Sequence, residues 1–439
     1  MDSSFTDSVP MSDNVSTEQA SIVSSNTGDH GRKRYNSGQE VVPFDISPLN
    51  DITNGKKLRP SMPELDNDII LYEIFPRLPV KSVHRFRCLS KAYRGLTSDK
   101  RFLRNVSLYA PRRQLISIPQ PLPLKIDVYY AKENVSEDGV LSIRLTSIDD
   151  RFIAGCIYIT VINGIMCRVN ESRNVILMNN ATNEVQILPS YKSPSRCEQH
   201  YLYFCYDPQT DIYKILRTMA FRKKPDLTTI RMRYSIFTLG SHTWTDFDHV
   251  VLFQYGKSRS LCIDGILYLN KFRDVGGRHV IAMFSVQSNT LEAICYPNGV
   301  DESRYNECHP VEVKGSLAII DINFVKEDGI SLCLKQEGSD GSSWLKQKIE
   351  YPTGSIGSRI STNYYFTTNL NGDIVIGKTR AMSASLCSIL IYNMDHQIWR
   401  EIKVHGIRDC VVFSDIRFEE YFETPLLLEQ ICPPIFFLN

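Results

Sequence analysis

Residues Phe204–Leu216 read FCYDPQTDIYKIL. An apolar run, a short polar turn and a second apolar run describe a hairpin rather than a helix. The same grammar recurs at Leu177–Leu188 (LMNNATNEVQIL), Phe237–Phe247 (FTLGSHTWTDF), Phe284–Ile294 (FSVQSNTLEAI) and Tyr392–Ile402 (YNMDHQIWREI). A second element, a glycine turn followed by apolar residues, appears as NGIMC from Asn163, DGILYL from Asp264, KGSLAII from Lys314 and NGDIVI from Asn371. Its glycines fall at 164, 265, 315 and 372, so the intervals are 101, 50 and 57, the first close to two units. A unit of roughly 50 residues holding about four strands is the period of a kelch-like propeller blade.

Working outward, segments such as LKIDVYYA, LSIRLTSI, GCIYITVI, VVLFQY and ILIYNM read as short strands with turn signals between them. No long helical pattern intervenes, which predicts an antiparallel all-β propeller over 110–425, with about six units and a short tail at 426–439. Upstream, over 59–108, the period is helical. Asp66, Asn67 and Asp68 offer N-caps, and Ile70/Ile74 and Leu71/Phe75 pair at i, i+4. Pro76 is expected to end that helix and Pro79 to open a second as its first residue, with Val80, Val83 and Phe86 on one stripe. Ser90 caps a third helix carrying Tyr93 and Leu96. The fold class is therefore α+β multidomain: a small three-helix unit, then an all-β propeller. Residues 1–58 are rich in Ser, Asp, Asn, Thr and Gly and predict a disordered tail.

Composition narrows the function. The formal net charge of +1 disfavours a strongly basic nucleic-acid protein, although six Lys or Arg against Glu73 make residues 73–96 locally basic. The start MDSSFTDSVPMSDNV reads as no secretory signal, and no run of 18 apolar residues predicts a membrane span. Twelve cysteines occur without a CxxC pair, which predicts buried free thiols rather than zinc ligands. HGRKRY at His30–Tyr35 is too short to stand as a nuclear address, so cytoplasm, nucleus or both is the expected location.

Gly372–Thr379 fits the phosphate-loop pattern, but its middle residues, Asp, Ile, Val and Ile, favour a strand. In GSHTW at Gly240–Trp244 the adjacent Ser and His would point to opposite faces of a strand. The carboxylates sit mostly in turns, so no cofactor, metal or catalytic residue is expected. Trp244, Trp344 and Trp399 are expected to pack between blades. Recognition is expected on polar connections at 192–200, 222–229, 255–260, 271–278 and 301–309, with Arg222, Lys223, Lys257, Arg259, Arg273, Arg304 and Tyr305 as candidate target contacts.

MPELDNDIILYEIFPRLPVKSVHRFRCLSKAYRGLTSDKRF, from Met62, resembles the F-box motif in its plant form, and the register holds without gaps from Glu73 to Leu96. Tyr93 stands where Trp is usual, Leu65-Asp66 where Leu-Pro is usual, and the link to Glu73 is one residue longer. NGIMC with VILMNNATNEVQILP, FCYDPQTDIYKILR, FTLGSHTW and FEEYFETPLLL resemble, in order, elements of the F-box-associated domain.

The resemblance implies a substrate-receptor subunit of an SCF-type ubiquitin ligase without bond chemistry of its own. The helices would dock on a Skp-family adaptor, and through it on cullin and RING subunits, while the propeller captures a protein target. The implied adaptor face is Leu65, Ile70, Ile74, Phe75, Leu78, Pro79, Val83 and Phe86, rimmed by Lys81, Arg85 and Arg87, with about half of the apolar residues interfacial. The alternatives are a propeller scaffold uncoupled from the ligase and a carbohydrate-processing or nucleotide-using propeller enzyme.

Overall fold

The computed structural model describes residues 66–120, 125–135, 141–147, 156–170, 174–191, 199–222, 230–247, 252–254, 260–298, 300, 308–321, 329–336, 343–351, 364–369, 372–379, 386–405 and 417–432. The expected tail at 1–58 lies outside them.

The helical unit opens with α1 (Asn67–Ile69), where Asp66 Oδ1 accepts the Asp68 N–H at 3.0 Å. The chain continues through a π turn (Ile70–Ile74) and a 3₁₀ turn (Phe75–Arg77) before α2 (Val80–Arg87). Two expectations change here. Pro76 lies inside the 3₁₀ turn, whose geometry needs no N–H at that position, and the helical stretch ends at Leu78. Pro79 is the N-cap of α2, extended at ψ 139°, so Val80 is its first residue. Ser90 does cap α3 (Lys91–Gly95), accepting the Tyr93 N–H at 3.2 Å. A 3₁₀ turn (Leu96–Ser98) leads to a fourth helix, α4 (Lys100–Tyr109), capped by Asp99, which accepts the Phe102 N–H at 2.8 Å. Phe75, Val83, Leu96, Phe102 and Val106 are buried together, and the Phe75 ring lies 4.6 Å from Phe86 and 5.3 Å from Tyr93.

The strands follow as consecutive meanders. The first holds β1 (Arg113–Gln120), β2 (Lys125–Val135) and β3 (Leu141–Ser147). The second holds β4 (Cys156–Ile162), β5 (Ile165–Asn170), β6 (Val175–Asn179) and β7 (Glu184–Ile187). The third is β8 (Gln199–Asp207), β9 (Ile212–Arg222), β10 (Ile230–Thr238) and β11 (Thr245–Phe247). The fourth is β12 (Leu252–Gln254), β13 (Ser260–Ile263), β14 (Ile266–Asp274), β15 (His279–Ser285) and β16 (Leu291–Cys295). β17 (His309–Val313), β18 (Ser316–Asp321), β19 (Gly329–Lys335) and β20 (Trp344–Glu350) form the fifth. β21 (Tyr364–Thr368), β22 (Ile374–Thr379), β23 (Leu386–Asn393) and β24 (Ile398–His405) form the sixth, and β25 (Arg417–Tyr421) precedes a short C-terminal helix, α5 (Leu428–Ile431).

These meanders make a five-sheet β-propeller. β25 pairs with β1, Glu420 opposite Gln114, so the two ends of the β domain share one sheet. β24 pairs in parallel with β3, Val404 opposite Ile143, and joins the sixth meander to that closing one as a single eight-stranded sheet. Innermost strands touch in a closed ring: β4 to β8, β8 to β13, β13 to β17, β17 to β21, β21 to β25 and β25 to β4. The eight-stranded sheet is thus doubled over, with both of its edge strands lining the ring.

Two turns recur, as the repeat foretells. Asn163-Gly164, Asp264-Gly265 and Lys314-Gly315 all have φ between 44° and 78°, the doubly left-handed loop that matches the twist of a two-residue hairpin. The polar turns end on Asn183, Asp211, Asn289 and Gln397, at φ 57° to 60°. Each begins four residues earlier with Asn179, Asp207, Ser285 or Asn393, whose side-chain oxygen accepts a turn N–H, from Ala181 (2.9 Å), Gln209 (3.1 Å), Ser288 (3.2 Å) and His396 (2.7 Å). Because consecutive strands are antiparallel, the glycine turns and these polar turns open on the same face of the ring. The strand ends joined at β5–β6, β9–β10, β14–β15 and β18–β19 lie on the opposite face.

The helices sit on the tight-turn face. Lys100 Nζ lies 3.3 Å from Asp211 Oδ2, and Phe422, just past β25, is buried in the helical core. His84 of α2 is half-buried beside Arg87, whose Nη1 is 3.2 Å from Nδ1, and feels the charge of Glu184 on β7. Burial, then Arg87, hold its imidazole below the usual range, with Glu184 pulling the other way. The unfolded chain therefore takes up the proton first as pH falls, so acidification below about 6.5 destabilises the folded helical unit. The protection factors of the α2 amides, which take out the intrinsic slowing of exchange at lower pH, are expected to fall in that window for the native chain, and to fall less in His84→Gln. For the propeller, Leu390→Ala removes a fully buried side chain and is expected to cost about 2–5 kcal/mol in urea unfolding. Leu345→Ala, at a position 52% exposed, should stay within about 0.5 kcal/mol.

Candidate interaction surfaces

The structure sorts the helical candidates by burial. Phe75 and Val83 are buried in the unit's own core. Ile70, Leu78 and Phe86 are half-buried against that core, while Ile74 is 41% exposed and Pro79 is exposed. Lys81 and Arg85 point to solvent, whereas Arg87 is half-buried against His84. Leu65 lies outside the described residues. The extra residue before Glu73 has a physical explanation, because one π turn absorbs one inserted residue in a helix.

Sequence reasoning missed α4 as a separate element. It adds exposed Leu108 and Tyr109 next to the 73–79 segment, with the Arg77 guanidinium 4.0 Å above the Tyr109 ring and the Tyr109 hydroxyl 3.5 Å from Glu73 Oε2. The signal was present, since Asp99 followed by Phe102 and Val106 is a cap with an i, i+4 apolar pair.

On the propeller, the strand ends that flank 192–198, 223–229, 275–278 and 301–307 lie on the face away from the glycine turns. There Arg273 of β14 is exposed, with Nη2 3.1 Å from His279 Nε2. Arg222 ends β9. Lys223, Lys257, Arg259, Arg304 and Tyr305 lie outside the described residues. The interruption between β12 and β13 faces a bulge in β14, where the register shifts between Leu269 and Phe272 and Lys271 takes φ +61°. Bulges of this kind re-aim side chains and accumulate at recognition sites.

The chemical motifs resolve as structure. Ile374, Val375 and Ile376 of the phosphate-loop pattern are buried in β22, paired on both sides, so their N–H groups serve the sheet. In GSHTW the Ser241 hydroxyl donates to the Thr238 carbonyl at 2.6 Å, while His242 is exposed. Trp244 Nε1 donates to the Pro189 carbonyl at 2.9 Å and Trp399 Nε1 to the Glu350 carbonyl at 2.8 Å, so both indoles tie one meander to the one before it. Cys167, Cys205, Cys308, Cys333 and Cys432 are buried free thiols. Desolvation pushes Cys205 well above the usual thiol range and, before lesser charge effects, takes Cys262 up to about 11. Glu312 is raised by burial and then by the charge of Asp264. Among the described residues no three His, Cys, Asp or Glu side chains are grouped to hold a metal ion.

Comparison with known proteins places this arrangement. A family model described as the F-box associated beta propeller domain matches residues 128–424. Relatives in Arabidopsis thaliana include F-box protein At2g21930, 22% identical with 77% of this chain and 86% of the relative covered. Putative F-box protein At3g10240 is 24% identical, covering 86% and 89%, and Putative F-box protein At1g31000 is 26% identical, covering 82% and 94%. The match spans the propeller from β2 to beyond β25, and the relatives extend it through the helices; the chain belongs to the F-box-associated β-propeller family of plant F-box proteins.

Proposed function

We propose that this protein is a substrate receptor of an SCF-type ubiquitin ligase, acting by placement and not by bond chemistry. The helical unit docks on a Skp-family adaptor, and through it on cullin and RING subunits. The propeller holds a protein target on its long-connection face, in the cytoplasm, the nucleus or both. The observation that carries this reading is the position of the helices on the tight-turn face, so that among the described residues no helix covers the opposite face. Ile74 and Pro79, rimmed by Lys81 and Arg85, form the exposed part of the adaptor surface, with Leu78 and Phe86 reached at their half-buried edges. Holding a target beside the ligase raises its effective concentration, so weak recognition suffices for transfer.

Co-purification with a plant Skp-family adaptor tests the reading. The wild-type chain should recover the adaptor, and Ile74→Asp/Pro79→Ala should weaken recovery about tenfold or more, the scale of losing an anchoring apolar contact. Ile187→Asp, at an exposed position on β7, should leave it unchanged. No recovery by the wild-type chain, or equal recovery by the double variant, would contradict the proposal.

A further inference from the structure

The segment after β25 does not end the propeller; it crosses to the helices. Phe422 enters the helical core, and the Arg112 guanidinium lies 4.2 Å above its ring. Leu426, Leu428 and Cys432 are buried against the apolar core of the second and third meanders, alongside Leu103 of α4. An expected tail at 426–439 is, up to Cys432, a packed element.

Polar contacts fasten it at both ends. Asn179 Nδ2 donates to the Thr424 carbonyl at 3.0 Å and to the Leu426 carbonyl at 2.7 Å. Glu184 Oε2 accepts the Leu428 N–H at 2.9 Å. On the helical side Gln430 Nε2 donates to Thr97 Oγ1 at 3.3 Å and to Ser98 Oγ at 2.5 Å.

The repeat supplies an internal control. Asn179 and Asp207 occupy the same turn slot, and each accepts a turn N–H through Oδ1. An aspartate therefore serves that turn. What Asn179 adds is the amide, and both of its recorded bonds go to the C-terminal segment. The glycine turns repeat the lesson. Gly164 and Gly315 share a left-handed φ of 76° and 78°. A Cβ on Gly315 meets nothing within 4 Å, whereas one on Gly164 would lie 2.4 Å from the Phe422 carbonyl oxygen.

We infer that Phe422–Cys432 is a strap that fastens the helical unit to the propeller, separately from the ring closure made by β25. It sets the direction in which the helices face and is a positioning element. Without it, the helical unit loses its fixed orientation while the ring stays closed.

The test uses the full-length chain and four variants. Asn179→Asp keeps the turn acceptor and replaces the strap donor with a carboxylate facing two carbonyls. Gly164→Ala adds a clash with the strap to backbone strain, and Gly315→Ala adds the strain alone. Gln430→Ala removes the helical-side hydrogen bonds together with the Oε1 cap on the Leu427 N–H. Readouts are amide exchange of α2 and α4, amide exchange of β5 and β18, and tryptic cleavage at Arg112, which the strap's Phe422 covers. Asn179→Asp and Gly164→Ala should each speed α2 and α4 exchange and Arg112 cleavage by about tenfold, with β18 unchanged. Gln430→Ala should do so less, and Gly315→Ala not at all. Unchanged helical protection in Asn179→Asp and Gly164→Ala would overturn the strap. So would equal loss of protection in helices and β18, because the segment would then belong to the propeller's common core.

Discussion

The pairing of β25 with β1 is the constraint on which the rest of this structure depends. A propeller is a sheet array wrapped on itself, and its last unit lacks a partner unless the two ends of the domain meet. Here five register pairs from Arg113↔Tyr421 to Ser117↔Arg417 make that closure. Its consequence is spatial. The chain enters the ring from α4 and leaves it beside that same helix, so Tyr421 delivers Phe422 into the helical core. Closing the ring and seating the helices are successive acts of one segment.

Closure also gives the two faces different characters. Tight turns need few residues and fixed dihedrals, so Asn, Asp and Gly fall on one side at regular intervals. That side is smooth enough to seat a four-helix unit. The longer connections, free of such geometry, accumulate on the other side, where sequence can vary without disturbing the strands.

Much of this was legible in the residues, and the rest was hidden for identifiable reasons. The repeat of Asn179, Asp207, Ser285 and Asn393 can be read from sequence because a side chain that accepts a turn N–H has few substitutes. The Ser90 cap can be read for the same reason. Pro79 was placed one position late because N-cap and first-turn sites both tolerate a missing N–H. The eight-stranded sheet left no trace, since the β24–β3 pairing joins strands of the first and sixth meanders through backbone atoms. The partition of the apolar stripe in the helical unit also escaped, because Phe75 and Ile74 are both apolar and only packing separates core from surface. The C-terminal segment was hidden by brevity. α5 spans Leu428–Ile431, too short for a helical period to show.

Native-state amide exchange of β25 tests the central claim most directly. If β25 closes the ring, the β25 amides bonded to β1 should exchange as slowly as buried β22 amides such as Ile376, through the same cooperative opening. Exchange of β25 at rates typical of a fraying terminus, with β22 still protected, would show that the ring holds without it and would contradict the account.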